Sequence, residues 1–293
     1  MHRVLSDKRT IALMVIPGML LVISVIFIPI VVAICYGFTN YSGLSNNYQI
    51  VGFINYLNIM KDEEFFSCLK NALSQAFFRI LFLDSFCITI AIIIDYLSGR
   101  IEKTYRVLFF VPCTVSVVVV SKLWLQIFNP TFGLLNKALR ALQLGFFTNN
   151  WLTNPNTALG SVHFMIIWCS FGWTFLYYYA GVKNISEDLY EAALIDGCSR
   201  RKMYLNITLP LLRPVMAVCI TLDIIASLKQ MEIVMLSTGG GPGYSTQFLA
   251  NYIYKLAFKD NRYGYGNAVS VVFVFVCIAV TVVLRKVLSR RDN

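Results

Sequence analysis

Four charged residues, Asp84, Asp223, Lys229 and Glu232, sit inside otherwise apolar runs. A charge in hydrocarbon is costly, so such residues face a counter-charge or a water-filled path. Lys229 and Glu232 are three apart, a spacing that lets one helical face pair them. Asp84 has Arg79 and Lys229 as available partners, or it faces a path. A small-molecule site combines apolar and aromatic faces with a few well-placed polar groups. Trp168, Trp173, Tyr177, Tyr178 and Tyr179 supply the faces, and Ser227, Gln230 and Glu232 the polar groups. Anchoring at a membrane interface is the plainer use of Trp173 and the tyrosines. Asp84, Trp168, Ser227, Gln230 and Glu232 are therefore the candidate residues for a substrate path.

Other chemistries lack their residues. Gly239, Gly240, Gly241 and Pro242 form a tight turn with no Lys-Ser/Thr after it, so it is not a phosphate loop. No Walker, HExxH or G-x-S-x-G pattern occurs. The eight cysteines show no CxxC spacing, so they form neither a zinc pattern nor a disulfide framework. No catalytic residue and no metal site is expected.

The elements that must position these residues follow from composition. Of 293 residues, 57% are hydrophobic and 14% charged, with a mean hydropathy of +0.66. Soluble domains run near 45–50% apolar and about 25% charged, so the composition argues against an ordinary soluble protein and excludes a disordered one. Six apolar stretches cover about 11–36, 72–96, 107–128, 158–181, 211–236 and 268–284. Each approaches the roughly 20 residues a membrane helix needs. The first is too long for a signal-peptide core, and Pro17 and Pro29 are candidate kinks. The expected fold is all-α, a polytopic membrane bundle of six transmembrane helices, forming one domain over 1–293.

Charge sets the expected orientation. With the N-terminus inside, Arg3, Lys8, Arg9, Arg100, Lys103, Arg106, Lys183, Arg200, Arg201, Lys202, Arg213, Arg285, Lys286, Arg290 and Arg291 are cytoplasmic. These are 15 basic residues, against seven outside and three in spans. The bias places both termini in the cytoplasm of a multi-pass protein. It also accounts for the net charge of +10 without nucleic acid. Outer loops at 37–71, 129–157 and 237–267 are large enough to touch a partner or to serve as connectors. Within the second, 134–144 reads as a short amphipathic helix.

The fourth-to-fifth loop, 186–210, reads as two short helices. Ser186 is a good N-cap, with Glu187 and Asp188 in the favourable first turn. Gly197 can take the left-handed conformation that ends the first helix. Ser199 can cap the second, which Pro210 terminates. Such a hairpin either docks on a partner or packs as a cap on the bundle. Small alanines allow close approach, and Glu191 and Asp196 could pair with basic groups.

Glu191-Ala192-Ala193, then Gly197, Ile207 and Leu209-Pro210, resembles the EAA motif of ABC importer permeases. Cys198 stands where a small residue, usually Ala, follows the Gly. The resemblance extends through Tyr105 to Pro112, Ile127 to Asn136, Ser227 to Glu232, Thr238 to Pro242, and Tyr252 to Ala268. These segments are similar to the carbohydrate-uptake branch that includes the maltose and glycerol-3-phosphate permeases. A permease for a polyamine or an anion is the alternative. The resemblance implies a prokaryotic cytoplasmic-membrane subunit that pairs with a second homologous permease. Two ATPase subunits would use ATP and Mg, leaving no cofactor on this chain, and an extracytoplasmic solute-binding protein would deliver the sugar. It implies that Glu191, Ala192, Ala193, Asp196, Gly197, Leu209 and Pro210 couple the bundle to the ATPase.

Overall fold

The computed structural model describes residues 8–289 apart from 46 and 98. Arg3, Arg290 and Arg291 of the charge argument lie outside the described residues, as do the side chains of Lys8, Arg9 and Arg285. Among the described residues the fold is helical, with a single isolated bridge between Thr39 and Ile50.

Among the described residues four helices are long and apolar enough to cross a membrane: Thr10–Gly37, Glu63–Asp95, Pro155–Lys183 and Tyr263–Val283. Two bent pairs pass the same test together: Arg100–Thr114 with Val117–Ile127, and Arg200–Leu211 with Arg213–Leu228. Counting each bent pair as one broken span, the third and the fifth, agrees with the six expected. The third bends by 93° at Val115 and Ser116, whose backbones are extended. The fifth bends by 64° around Leu212. Pro214 has no N–H to give the Pro210 carbonyl, so the ladder opens there.

This corrects the reading of Pro210. It does not end the helix of the loop. It sits in the first turn of the short helix Leu209–Leu211, where a missing N–H costs nothing. A π-turn, Tyr204–Thr208, precedes it, and another, Ile23–Phe27, precedes Pro29. The fifth span thus starts at Arg200, not near 211. The second starts at Glu63, not near 72, because its first two turns are amphipathic and carry less hydropathy.

The chain packs into two compact units. The first comprises Met1–Asp62 and Ile253–Val276. Its first span has no buried residue in its apolar core, as suits a helix apolar on every side. Asn55 ties the following loop by donating to the Gly37 and Thr39 carbonyls at 2.9 Å each. The second unit comprises Glu63–Tyr252 and Cys277–Asn293. Asn154 caps its fourth span by accepting from the Asn156 amide, with Pro155 at the first helical position. The fourth span carries the core of this unit, with Phe175, Tyr178 and Val182 against Leu83, Cys87, Ala91 and Leu212. Gly172 admits the third span closely: a Cβ there would lie 2.9 Å from the Phe109 carbonyl oxygen. Small residues at such crossings let membrane helices meet backbone to backbone.

Candidate functional site

The loop helix is Glu187–Ile195, and it buries none of its residues. Ser186 caps it, its hydroxyl accepting from the Asp188 amide at 3.3 Å. Gly197 ends it with φ of +72°, the conformation that Gly adopts without steric cost. The Gly197 amide donates to Leu194 and the Cys198 amide to Ala193, closing the helix end. Ser199 precedes the next helix but makes no side-chain cap bond. Glu191, Ala192 and Asp196 are exposed, Ala193 is half-buried, and Ile195 is 87% exposed. Leu209 and Pro210 are half-buried. Tyr190 and Ala193, three apart on one face, are half-buried, and Tyr190 and Thr208 share a hydrogen bond of 2.9 Å between hydroxyls. Burial pushes the Tyr190 phenol pKa above its ordinary value.

Inside the second unit, one side of the second span is polar and buried. Asn71, Gln75 and Arg79 recur every four residues. A π-turn, Arg79–Asp84, then adds a residue and keeps Asp84 on the buried side. Asn71 donates to the carbonyls of Ser245 and Gln247 at 3.0 and 2.9 Å. Arg79 pairs with Asp223 of the fifth span at 2.5 Å, both side chains 6% exposed. Tyr178 of the fourth span donates to Asp84 at 2.8 Å. Arg79 and Asp223 both lie within electrostatic range of Asp84.

The sequence-derived pairings change accordingly. Arg79 takes Asp223 rather than Asp84, and Asp84 takes Tyr178 rather than Lys229. Lys229 and Glu232 do not share a helical face, because one helix ends at Leu228 and the next begins at Glu232. Both are exposed. Tyr178 and Tyr179 are buried and so are not interface anchors; Trp173 and Tyr177 are exposed.

The candidate path residues fall into two groups. Asp84 and Ser227 are buried between helices, and Ser227 donates to the Asp223 carbonyl at 2.7 Å. Trp168 is half-buried edge-on to Trp124 and lines a cavity of about 640 Å³ with Phe82, Phe86, Phe109 and His163. Gln230 is half-buried and Glu232 exposed, at the break that ends the fifth span. Sequence reasoning missed the Asn71–Gln75–Arg79 row, although its four-residue spacing was visible. It also missed His163, whose Nε2 lies 2.7 Å from the Ser74 hydroxyl.

The family model described as "Binding-protein-dependent transport system inner membrane component" matches residues 87–291. The chain is similar to the diacetylchitobiose uptake system permease of Streptomyces coelicolor, 32% identical over 94% of this chain and 82% of that one. It is also similar to the multiple sugar-binding transport system permease of Streptococcus mutans, 31% identical over 92% of each. Its fold resembles a chain in the crystal structure of a bacterial ABC transporter that imports the acidic polysaccharide alginate. That match has a TM-score of 0.83 and 23% identity, and covers 97% of this chain and 96% of the other. The capped loop helix and the broken spans thus belong to a known architecture, and the chain is a member of the family of binding-protein-dependent transport system inner membrane components.

Proposed function

We propose that this chain is the permease subunit of an ATP-driven importer for a sugar or oligosaccharide. The exposed, capped helix Glu187–Ile195, carrying the EAA residues, is the observation that carries this reading. Glu191, Ala192, Ala193, Asp196 and Gly197 would meet the ATPase, with Leu209 and Pro210 setting the return of the chain. Their loop is one element of a single transmembrane domain over 1–293, whose termini are cytoplasmic in a prokaryotic membrane. ATP and Mg act in two separate ATPase subunits, and this chain binds no cofactor and no nucleic acid. A second, homologous permease completes the pathway, and an extracytoplasmic binding protein delivers the sugar. The sugar cargoes named for the Streptomyces and Streptococcus relatives support the solute class. Trp168, Gln230 and Glu232 are the path residues open to a solute, and Asp84 and Ser227 would hold the helices behind them.

The experiment reconstitutes the chain with partner permease, ATPase and binding protein. The binding protein is screened against mono- and oligosaccharides, putrescine and sulfate. A sugar should bind, and Glu191→Lys and Gly197→Pro should abolish its ATP-dependent uptake. Selective binding of putrescine or sulfate would overturn the solute class. Wild-type uptake in both variants would overturn the coupling assignment.

A further inference from the structure

The loop that carries the exposed helix is bracketed by two cations, and both reach the end of the second span. Lys183 is the last residue of the fourth span. Its Nζ lies 2.9 Å from Asp95 and 3.5 Å from Glu102. Arg200 opens the fifth span, and its guanidinium lies over the Tyr96 ring, 5.4 Å from the centroid. Asp95 and Tyr96 are adjacent, and Glu102 stands one turn beyond Gly99 in the next helix. So entry and exit of the loop are both fastened to the adjoining ends of the second and third spans, at Asp95, Tyr96 and Glu102. Tyr179, one turn before Lys183, donates its phenol hydrogen to Glu102. Lys183 and Arg106 each lie 5.9 Å from the centre of that ring. Three spans therefore meet in one charged network beside the loop.

We propose that Lys183 and Arg200 are positioning residues that clamp the exposed loop to the adjoining ends of the second and third spans, so that loop and span ends move as one body. This rests on the reading that the loop docks on an ATPase. Two fastenings resist rotation of the loop, which one would allow. A push on Glu187–Ile195 is then delivered to the second and third spans as well as to the fourth and fifth. Isolated exposed ion pairs contribute little, but a shared network with stacked cations holds a geometry. Two discrete positions of such a body are what energetic coupling requires.

The test is hydrogen exchange, read by mass spectrometry, on the transporter assembled with its partner permease and ATPase subunits. The probe is Mg-ATP with vanadate, which needs no sugar. In the wild type, trapping should slow exchange at 187–197 and also at 95–103. Lys183→Gln and Arg200→Gln should each keep the slowing at 187–197. Each should raise exchange at 95–103 about two- to fivefold relative to trapped wild type, the scale of a partly exposed ion pair. Lys183→Arg, which keeps a cation for both Asp95 and Glu102, should retain the slowing. The clamp is overturned if both Gln variants match the wild type at 95–103, if the wild type shows no slowing there, or if Lys183→Arg behaves as Lys183→Gln does. Failure of the docking reading looks different: trapping would leave 187–197 unprotected in the wild type.

Discussion

Replacing Arg79 by Met should damage this protein more than replacing its partner Asp223 by Asn. Arg79 is a buried cation beside two carboxyl groups. Asp223 accepts from it at 2.5 Å, and Asp84 feels its charge while holding Tyr178. Both members of the pair are 6% exposed, so water cannot replace either partner. Removing one side of a buried pair costs about 3–5 kcal/mol. Arg79→Met leaves the Asp223 carboxylate buried without its partner, so this range applies. In Asp223→Asn the amide oxygen can still accept from Arg79, so the loss falls below that range. At roughly 2 °C per kcal/mol for a chain of this size, Arg79→Met should lower Tm by at least roughly 6 °C. The assay is thermal unfolding in detergent, followed by loss of the monodisperse size-exclusion peak. The double variant Arg79→Met with Asp223→Leu should recover part of the loss, because the orphaned charge is gone. An Asp223→Asn loss equal to or larger than that of Arg79→Met would refute this account. So would an unchanged Tm in Arg79→Met.

Two further substitutions probe how the helices meet. Gly172→Ala places a Cβ 2.7 Å from the Cys113 sulfur and 2.9 Å from the Phe109 carbonyl oxygen, so the third and fourth spans must separate. Overpacking of this kind costs about 1–3 kcal/mol, which a lowered Tm would register. Asn71→Leu removes two hydrogen bonds to the Ser245 and Gln247 carbonyls and should cost about 1–3 kcal/mol. Protease cleavage in the segment 238–247 should accelerate in that variant, and an unchanged rate would show the segment is held elsewhere.

Much of the architecture was legible in the chain because hydrocarbon imposes a one-dimensional rule. A helix must supply about 20 apolar residues, and six such stretches stand out. Cap chemistry is equally local. Ser186 and Gly197 delimit the exposed helix because a hydroxyl at its start and a left-handed residue at its end satisfy groups that neighbours in sequence leave open. The effects of proline were less legible. A proline marks a lost hydrogen bond, but whether the chain stops or bends depends on what packs around it. Pro210 does not stop the chain, and the bend falls around Leu212, where Pro214 lacks the N–H for the Pro210 carbonyl, in a fifth span that continues to Leu228.

The apolar stretches, the location of the exposed loop helix and the kind of motif it bears are written in the chain, because each follows from hydropathy or from residues a few positions apart. Which buried charges pair is set by how the helices pack. Arg79 and Asp223 are 144 positions apart, and Asp84 and Tyr178 are 94 apart. No local spacing selects between Asp84 and Asp223 as the partner of Arg79. The selection comes from the π-turn at Arg79–Asp84, which turns Asp84 toward the fourth span while Arg79 meets the fifth. The same holds for Lys183 and Arg200, ordinary surface cations in sequence that converge on adjacent residues of one turn once the helices are packed.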